Sequence, residues 1–247
     1  MNSHYDDPTF FNAYAEMNRS KYGLKAAGEW QDLKTVLPDF TNKTVLDLGC
    51  GYGWHCRYAA EHEAKQVIGI DDSQKMIQQA QSMTENNNIQ YKTMDMFDLD
   101  LLGQTFDVII SSLAIHYVKN YAELVQKIYK QLNTGGSFIM SVEHPVFTAQ
   151  GSEQWVENSQ GENSYWPVDH YFDEKVRTTA FLGFSISKYH RTLTTYVQTL
   201  LQEGFILDHL IEPQPPQEML QENQEMQEEL RRPMMLILAA HKLNKKS

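Results

Sequence analysis

The chain has 247 residues, 41% apolar and 21% charged, which is enough apolar material for one sizeable core and near the upper limit of a single domain. Its 21 basic against 32 acidic residues leave a formal charge of −11, which speaks against binding by neutralising phosphates and disfavours nucleic acid as a partner. Cys50 and Cys56 lie too close to form a disulfide framework and fit a reducing, cytoplasmic setting, no basic-then-apolar leader opens the sequence, and the apolar run Met234 to Ala240 is too short to span a bilayer.

In chain order, Tyr22, Ala26, Trp30, Leu33 and Leu37 fall on one face of a predicted helix over 21–37 that ends at Pro38. TVLDLG from Thr44 reads as a buried strand, followed by a glycine turn and a helix from Trp54 to His62. QVIGID is a second strand, and the next helix, capped by Asp72 or Ser73, carries Met76, Ile77, Ala80 and Met83 on one side. IQYKTMDM and FDVIISSL are the third and fourth strands. A helix from Tyr121 to Leu132 is expected to stop at Gly135 and Gly136, and SFIMSV is the fifth strand. After residue 144 the rhythm breaks; Lys175–Phe181 and Phe184–His190 alternate about Gly183 as a hairpin would. A helix from His190 to Glu203, stopped by Gly204, leads to the strands FILDHLIE and MMLILAAH, with Glu212–Glu229 between them read as a loop and one surface helix. Strands alternating with helices define an α/β chain: a Rossmann-like, mostly parallel sheet with helices on both faces and an aromatic-rich insertion after the fifth strand.

The most informative stretch is Val45-Leu46-Asp47-Leu48-Gly49-Cys50-Gly51-Tyr52-Gly53. A strand running into alternate glycines lets the backbone turn tightly and approach a small ligand. The dinucleotide pattern needs a third glycine where Trp54 stands, so a nicotinamide cofactor is disfavoured, and the absence of Gly-Lys-Ser/Thr excludes a Walker loop. Asp71, at the end of the second strand, stands where such sheets hold the two hydroxyls of a ribose. Asp95 and Met96 end the third strand, where a carboxylate and a flexible thioether could meet adenine.

Together VLDLGCGYG, GIDDS, MDMF, FDVIISSLAIHYV and LNTGGSFIMSV resemble the successive motifs of the class I S-adenosylmethionine-dependent methyltransferases, and HRTLTTYVQTLLQEGFILDHLIEPQP resembles the end of their small-molecule subgroup. The resemblance implies a seven-stranded sheet with its last strand antiparallel, S-adenosylmethionine as cofactor and S-adenosylhomocysteine as product. It implies that Gly49, Cys50 and Gly51 pass beside the methionine part, with Asp47 supporting the loop or meeting the amino group. Asp71 would take the ribose, with Asp72 beside it; Asp95 and Met96 would hold adenine; Ser111 and Leu113 would border the sulfonium. Residues 1–40 are then a helical cap, 41–143 the cofactor-binding core, 144–190 a substrate lid and 191–247 the return to the sheet, all in one domain.

Methyl transfer from a sulfonium is an in-line displacement with a neutral leaving group, so alignment and water exclusion dominate and a general base is optional. His116, after the fourth strand, and Glu143 and His144, at the end of the fifth, are the candidates for contact with the acceptor. Tyr14 and Arg19 are candidates for a carboxylate of cofactor or substrate. No metal is expected, because Cys50, His55, Cys56 and His62 do not have the spacing of a zinc site. The fourth strand has Ser111-Ser112-Leu113-Ala114 where enzymes that methylate the amino groups of nucleic-acid bases carry Asn/Asp-Pro-Pro-aromatic, so base N-methylation is not expected. Nine of the 28 aromatic residues fall within 144–190, and Trp155, Trp166, Tyr171 and Phe172 are available there either as pocket walls or as anchors of the insertion on the core. The expected activity is methylation of a small, partly apolar acceptor, with a non-catalytic S-adenosylmethionine-binding protein or an RNA or protein methyltransferase as alternatives.

Overall fold

The computed structural model describes residues 4–222 and 224–243. Eleven strands are present among them: β1 (Thr44–Leu48), β2 (Gln66–Asp71), β3 (Ile89–Thr93), β4 (Phe106–Ser112), β5 (Leu132–Glu143), β6 (Val156–Glu157), β7 (Asn163–Tyr165), β8 (Val176–Phe181), β9 (Phe184–Tyr189), β10 (Phe205–Ile211) and β11 (Met235–Lys242). Seven form one sheet in the order β10-β11-β5-β4-β1-β2-β3, while β6–β7 and β8–β9 make two separate ribbons. β1 through β5 pair in parallel, and β11 runs antiparallel to both β5 and β10.

The central strands are almost continuously apolar because both faces are covered. On one face Leu46, Ile68, Ile109 and Leu238 pack against the inner sides of α6 (Tyr121–Gln131) and α8 (Leu193–Glu203). On the other, Val45, Val67, Val108 and Ile237 meet Trp30 and Leu33 of α3 (Trp30–Leu33), Ala59 of α4 (Trp54–Glu61) and Ile77 of α5 (Gln74–Ser82). Ser73 caps α5, its hydroxyl accepting from Met76 N, and Gly204 ends α8 with φ +103°.

Three predicted elements differ. The helix over 21–37 is broken into α2 (Asn18–Tyr22), a 3-10 turn at Gly23–Ala26 and α3, because Gly23 takes φ +67° against the Trp54 ring. A Cβ on Gly23 would lie 2.5 Å from that ring, so contact with α4 overrides the helical periodicity. Gly135 and Gly136 lie inside β5, where the pairing with β4 jumps from Phe106–Leu132 to Val108–Ser137. A Cβ at Gly136 would stand 3.0 Å from the Asp107 carbonyl, so the glycines admit this bulge and do not terminate α6. The acidic segment holds two short helices, α9 (Gln217–Glu222) and α10 (Gln224–Glu228), instead of one.

The chain starts with α1 (Pro8–Ala15), capped by Asp7, and α7 (Pro145–Thr148) opens the insertion. Within the insertion most rings anchor the segment itself. Trp166 stacks on Phe147 at 5.1 Å, meets Trp155 edge-on at 5.2 Å and lies under the Arg232 guanidinium at 4.2 Å. Tyr171 packs on His190 and Phe172 is 89% exposed.

Candidate active site

The sheet order reverses between β1 and β4, and in open α/β sheets ligands bind at the C-terminal edge of such a switch point. A cavity of about 620 Å³ opens there, within the range of cofactor sites. Its floor is the carboxyl ends of β1 to β4; its roof comes from the first 27 residues and from Ile186, Ser187 and Tyr189 of β9.

The glycine turn admits a ligand by lacking side chains, not by offering donors. Gly49 and Cys50 N–H both donate to the Ile70 carbonyl at 2.9 Å, Gly51 N–H to Asp71 Oδ2 at 2.9 Å, and Gly53 N–H to Cys50 O at 2.8 Å. The backbone is left-handed at Gly49 (φ +71°), and a Cβ there would stand 2.4 Å from that of Ala114. A turn with its N–H groups consumed is a poor cradle for a pyrophosphate and a good floor for an uncharged, close-packed part of a ligand.

Asp71 also accepts from Ser73 N–H at 2.9 Å, so its carboxylate is fixed with both oxygens anchored at the cavity wall. Burial raises its pKa to about 6 against the opposing pull of those two N–H groups. Asp72, Asp95, Met96 and Leu113 line the cavity as expected, Leu113 in a left-handed conformation (φ +52°). Asp95 Oδ1 accepts from Phe97 N–H at 2.8 Å. Asp47 is different: it lies under the turn, outside the lining, 1% exposed, with Cys56 Sγ 3.3 Å from Oδ2 and no partner for Oδ1. Burial holds its pKa up at about 7. Of its two expected roles, the position favours support of the loop.

At the far end Arg19 and Tyr14 line the cavity, and Arg19 is paired with the buried Glu29 at 2.7 Å. His55 lies beside them in the wall, its pKa lowered to about 4 by burial. The Tyr52 hydroxyl and Trp54 Nε1, from residues of the same wall, are buried without a protein partner. A fixed guanidinium and an orphaned donor suit the carboxylate of an amino-acid ligand. The carboxylates at the other end suit a nucleoside, so the residues present fit S-adenosylmethionine.

The structure does not bring His116, Glu143 and His144 to this cavity. His116 is 2% exposed and its Nδ1 accepts from Glu143 N–H at 3.4 Å, while burial and the Lys188 ammonium push its pKa well below the usual range. Glu143 is paired with Lys188 at 2.5 Å, and Lys188 with Glu153 at 2.8 Å. His144 caps α7 through Val146 N–H, with Nε2 at 2.9 Å from Glu212. All three are tied into joints between β5, the insertion and the C-terminal segment. Ser111 is likewise corrected: its hydroxyl donates to the Leu48 carbonyl at 2.9 Å inside the sheet, and Ser112 takes its place in the lining. Trp155, Trp166, Tyr171 and Phe172 are absent from the wall. Tyr5, Phe10, Tyr117 and Tyr189 are in it, and the sequence carried no signal for them because they come from distant segments that only the fold unites. No group of three metal-ligating side chains occurs among the described residues.

Fold and site thus define an α/β protein of the nucleoside-cofactor class. Residues 46–140 match the family described as a methyltransferase domain. A solved chain from Mesorhizobium loti, an S-adenosylmethionine-dependent methyltransferase, is 37% identical, superposes with a TM-score of 0.81 and covers 89% of this chain and 100% of itself. One from Listeria monocytogenes, provisionally named for the same activity, is 51% identical, with a TM-score of 0.85 and coverage of 90% and 100%. A relative from Haemophilus influenzae, itself uncharacterised, is 30% identical over 98% of this chain and 97% of its own. Shorter matches reach phosphoethanolamine N-methyltransferase 3 of Arabidopsis thaliana (31% over 121 residues, 24% of that protein) and the tRNA U34 carboxymethyltransferase of Pseudoalteromonas atlantica (27% over 130 residues, 39% of it). The chain belongs to the class I S-adenosylmethionine-dependent methyltransferases. It is an enzyme, and S-adenosylmethionine is its cofactor.

Proposed function

We propose that this enzyme methylates a small, partly apolar acceptor held between the cofactor and the aromatic roof. The observation that carries this reading is the cavity itself: the same space is walled by Asp71 and Asp95 and by Tyr5, Phe10 and Tyr189. Asp71 would bind the ribose hydroxyls, Asp72 would border them, and Asp95 and Met96 would hold adenine. Gly49 to Gly51 would pass beside the methionine chain, Arg19 with Tyr14 would receive its carboxylate, and Leu113 would border the sulfur. When bound, S-adenosylmethionine supplies an activated methyl group and a neutral leaving group. The protein then has to align the acceptor in line with the sulfur and exclude water. The half of the roof that comes from the N-terminus is pinned by Asp6, whose Oδ1 accepts from the Ser73 hydroxyl at 2.8 Å and from Lys75 N–H at 3.1 Å.

Isothermal calorimetry with S-adenosylmethionine, S-adenosylhomocysteine and NAD tests the cofactor assignments. Asp71→Ala is expected to weaken S-adenosylmethionine by about 1–3 kcal/mol by orphaning two ribose hydroxyls; unchanged affinity removes Asp71 from that role. Methyl transfer from labelled cofactor to a panel of small molecules and to bulk tRNA tests the acceptor, and labelling of tRNA alone would refute the small-molecule reading.

A further inference from the structure

Beyond the end of β4 the cavity is walled by aromatic rings drawn from four separate segments. Tyr5 stands edge-on to Phe10 with ring centroids 5.0 Å apart and to Tyr14 at 5.3 Å, and Tyr14 meets Tyr52 at 5.7 Å. Tyr117, from the turn after β4, brings its hydroxyl to that of Tyr5, and Tyr189 closes the chamber from β9. Burial and the mutual proximity of these phenols keep Tyr5 and Tyr117 protonated far above neutral pH, so neither serves as a base.

The usual bases are placed elsewhere. His116 and His144 are bonded into the scaffold, His55 sits at the Arg19 end, and Asp71 already accepts two backbone N–H groups. His4, also in the lining, is exposed in the first described turn. Behind Tyr117, Glu143 and Glu153 share the Lys188 ammonium, and burial raises both carboxyl pKa values, Glu153 to about 7, so this cluster leaves no uncompensated cation beside the chamber. Of the cations in the cavity wall, Arg19 is paired with Glu29 and Lys119 is exposed.

We propose that the acceptor is an amine, which attacks as its free base and becomes a cation enclosed by these ring faces. This rests on the small-acceptor reading above and narrows it. The nitrogen lone pair forms the new N–C bond as the C–S bond breaks, the C–S electron pair stays on sulfur, and the positive charge passes from sulfur to nitrogen. The ammonium form gives its proton to water before the step and no proton moves within it; a primary or secondary amine loses its extra proton to water afterwards, and a tertiary amine has none to lose. Aromatic rings attract the charge in reactant and product alike. A methylated phenol would leave the chamber neutral and give the rings no product charge to attract.

The test is calorimetric titration of tetramethylammonium chloride, with tert-butanol as its neutral counterpart, into the full-length protein saturated with S-adenosylhomocysteine. Tetramethylammonium is expected to bind at least tenfold tighter than tert-butanol, to lose tenfold in Tyr117→Leu and to keep its affinity in Tyr117→Phe, while S-adenosylhomocysteine binds all three proteins equally. In parallel, labelled S-adenosylmethionine is offered ethanolamine, N,N-dimethylethanolamine, catechol and 2-mercaptoethanol, and label is expected in an amine. Equal binding of the two probes overturns the amine assignment. Label in catechol or thiol alone overturns it too but leaves the small-acceptor reading standing, whereas label in tRNA alone overturns both.

Discussion

Gly49 and Gly51 look equivalent in the motif, yet their surroundings separate them. Gly49 combines φ +71° with a virtual Cβ 2.4 Å from Ala114, whereas Gly51 has φ +51° with no atom within 4 Å of its virtual Cβ. Gly51→Ala should therefore cost only the strain of a left-handed residue, about 1 kcal/mol, while Gly49→Ala adds a backbone-level clash and should cost about 3 kcal/mol. Urea unfolding of the two variants checks the difference, and equal midpoints would contradict it. Asp71 carries a second prediction at this scale. Ribose hydroxyls favour its charged form, and its pKa in the free protein is about 6. Affinity for S-adenosylmethionine should be full above that pH and fall by up to about tenfold per pH unit below it; Asp71→Asn should flatten the profile.

Among the elements, the insertion combines the two tasks, roof and anchor, that its aromatic composition offered as alternatives. The β8–β9 ribbon contributes Ile186, Ser187 and Tyr189 to the cavity roof, and the remainder of the segment clamps itself to the C-terminal strand through Trp155, Trp166 and Arg232. The ribbon is joined to β5 by the Glu143–Lys188–Glu153 cluster, with Lys188 only 3% exposed. Lys188→Met should leave two buried carboxylates uncompensated and destabilise the protein by about 3–5 kcal/mol at pH 8. Burial already raises both carboxyl pKa values, Glu153 to about 7, so at pH 5 both can take up protons and the penalty should shrink. Thermal unfolding at the two pH values reads this out, and an equal loss at both would contradict it. The hairpin about Gly183 was legible from alternation alone, but the ends of its ion pairs lie 35 and 45 positions apart, a relation no periodicity encodes.

For the whole molecule, the buried acids set the pH dependence of folding. The Asp47 pKa is about 7 in the folded protein against about 3.9 in an unfolded chain. The folded state therefore binds the extra proton, and this stabilisation is complete below pH 4 and is lost as pH rises to about 7. Its upper limit is on the order of 4 kcal/mol. Asp47→Asn should flatten the fall in stability between pH 4 and 7, measured by urea unfolding across that range; an unchanged slope would remove Asp47 as its source. The formal charge of −11 has little part in this, because six glutamates lie between Glu212 and Glu229, and without them 26 acidic residues face 21 basic ones. No helix among the described residues is long and apolar enough to cross a membrane.

The amino-acid sequence by itself determined the parallel core, the crossovers and the cofactor edge. Each depends on contiguous signals: a buried strand, a glycine turn beside it, and an acid at the end of the next strand. Asp71, Asp72, Asp95, Met96, Leu113 and the Gly49–Gly51 turn consequently stand in the cavity wall where the motifs put them. The tertiary structure alone decided the rest of the cavity wall. His116, Glu143 and His144 end strands on the correct rim, yet burial and available partners turn them into scaffold joints. Tyr5, Tyr14, Tyr117 and Tyr189 share a wall although their segments are far apart in the chain. Local pattern specifies which face of an element is apolar; which distant elements close over one another depends on the packing of the whole core.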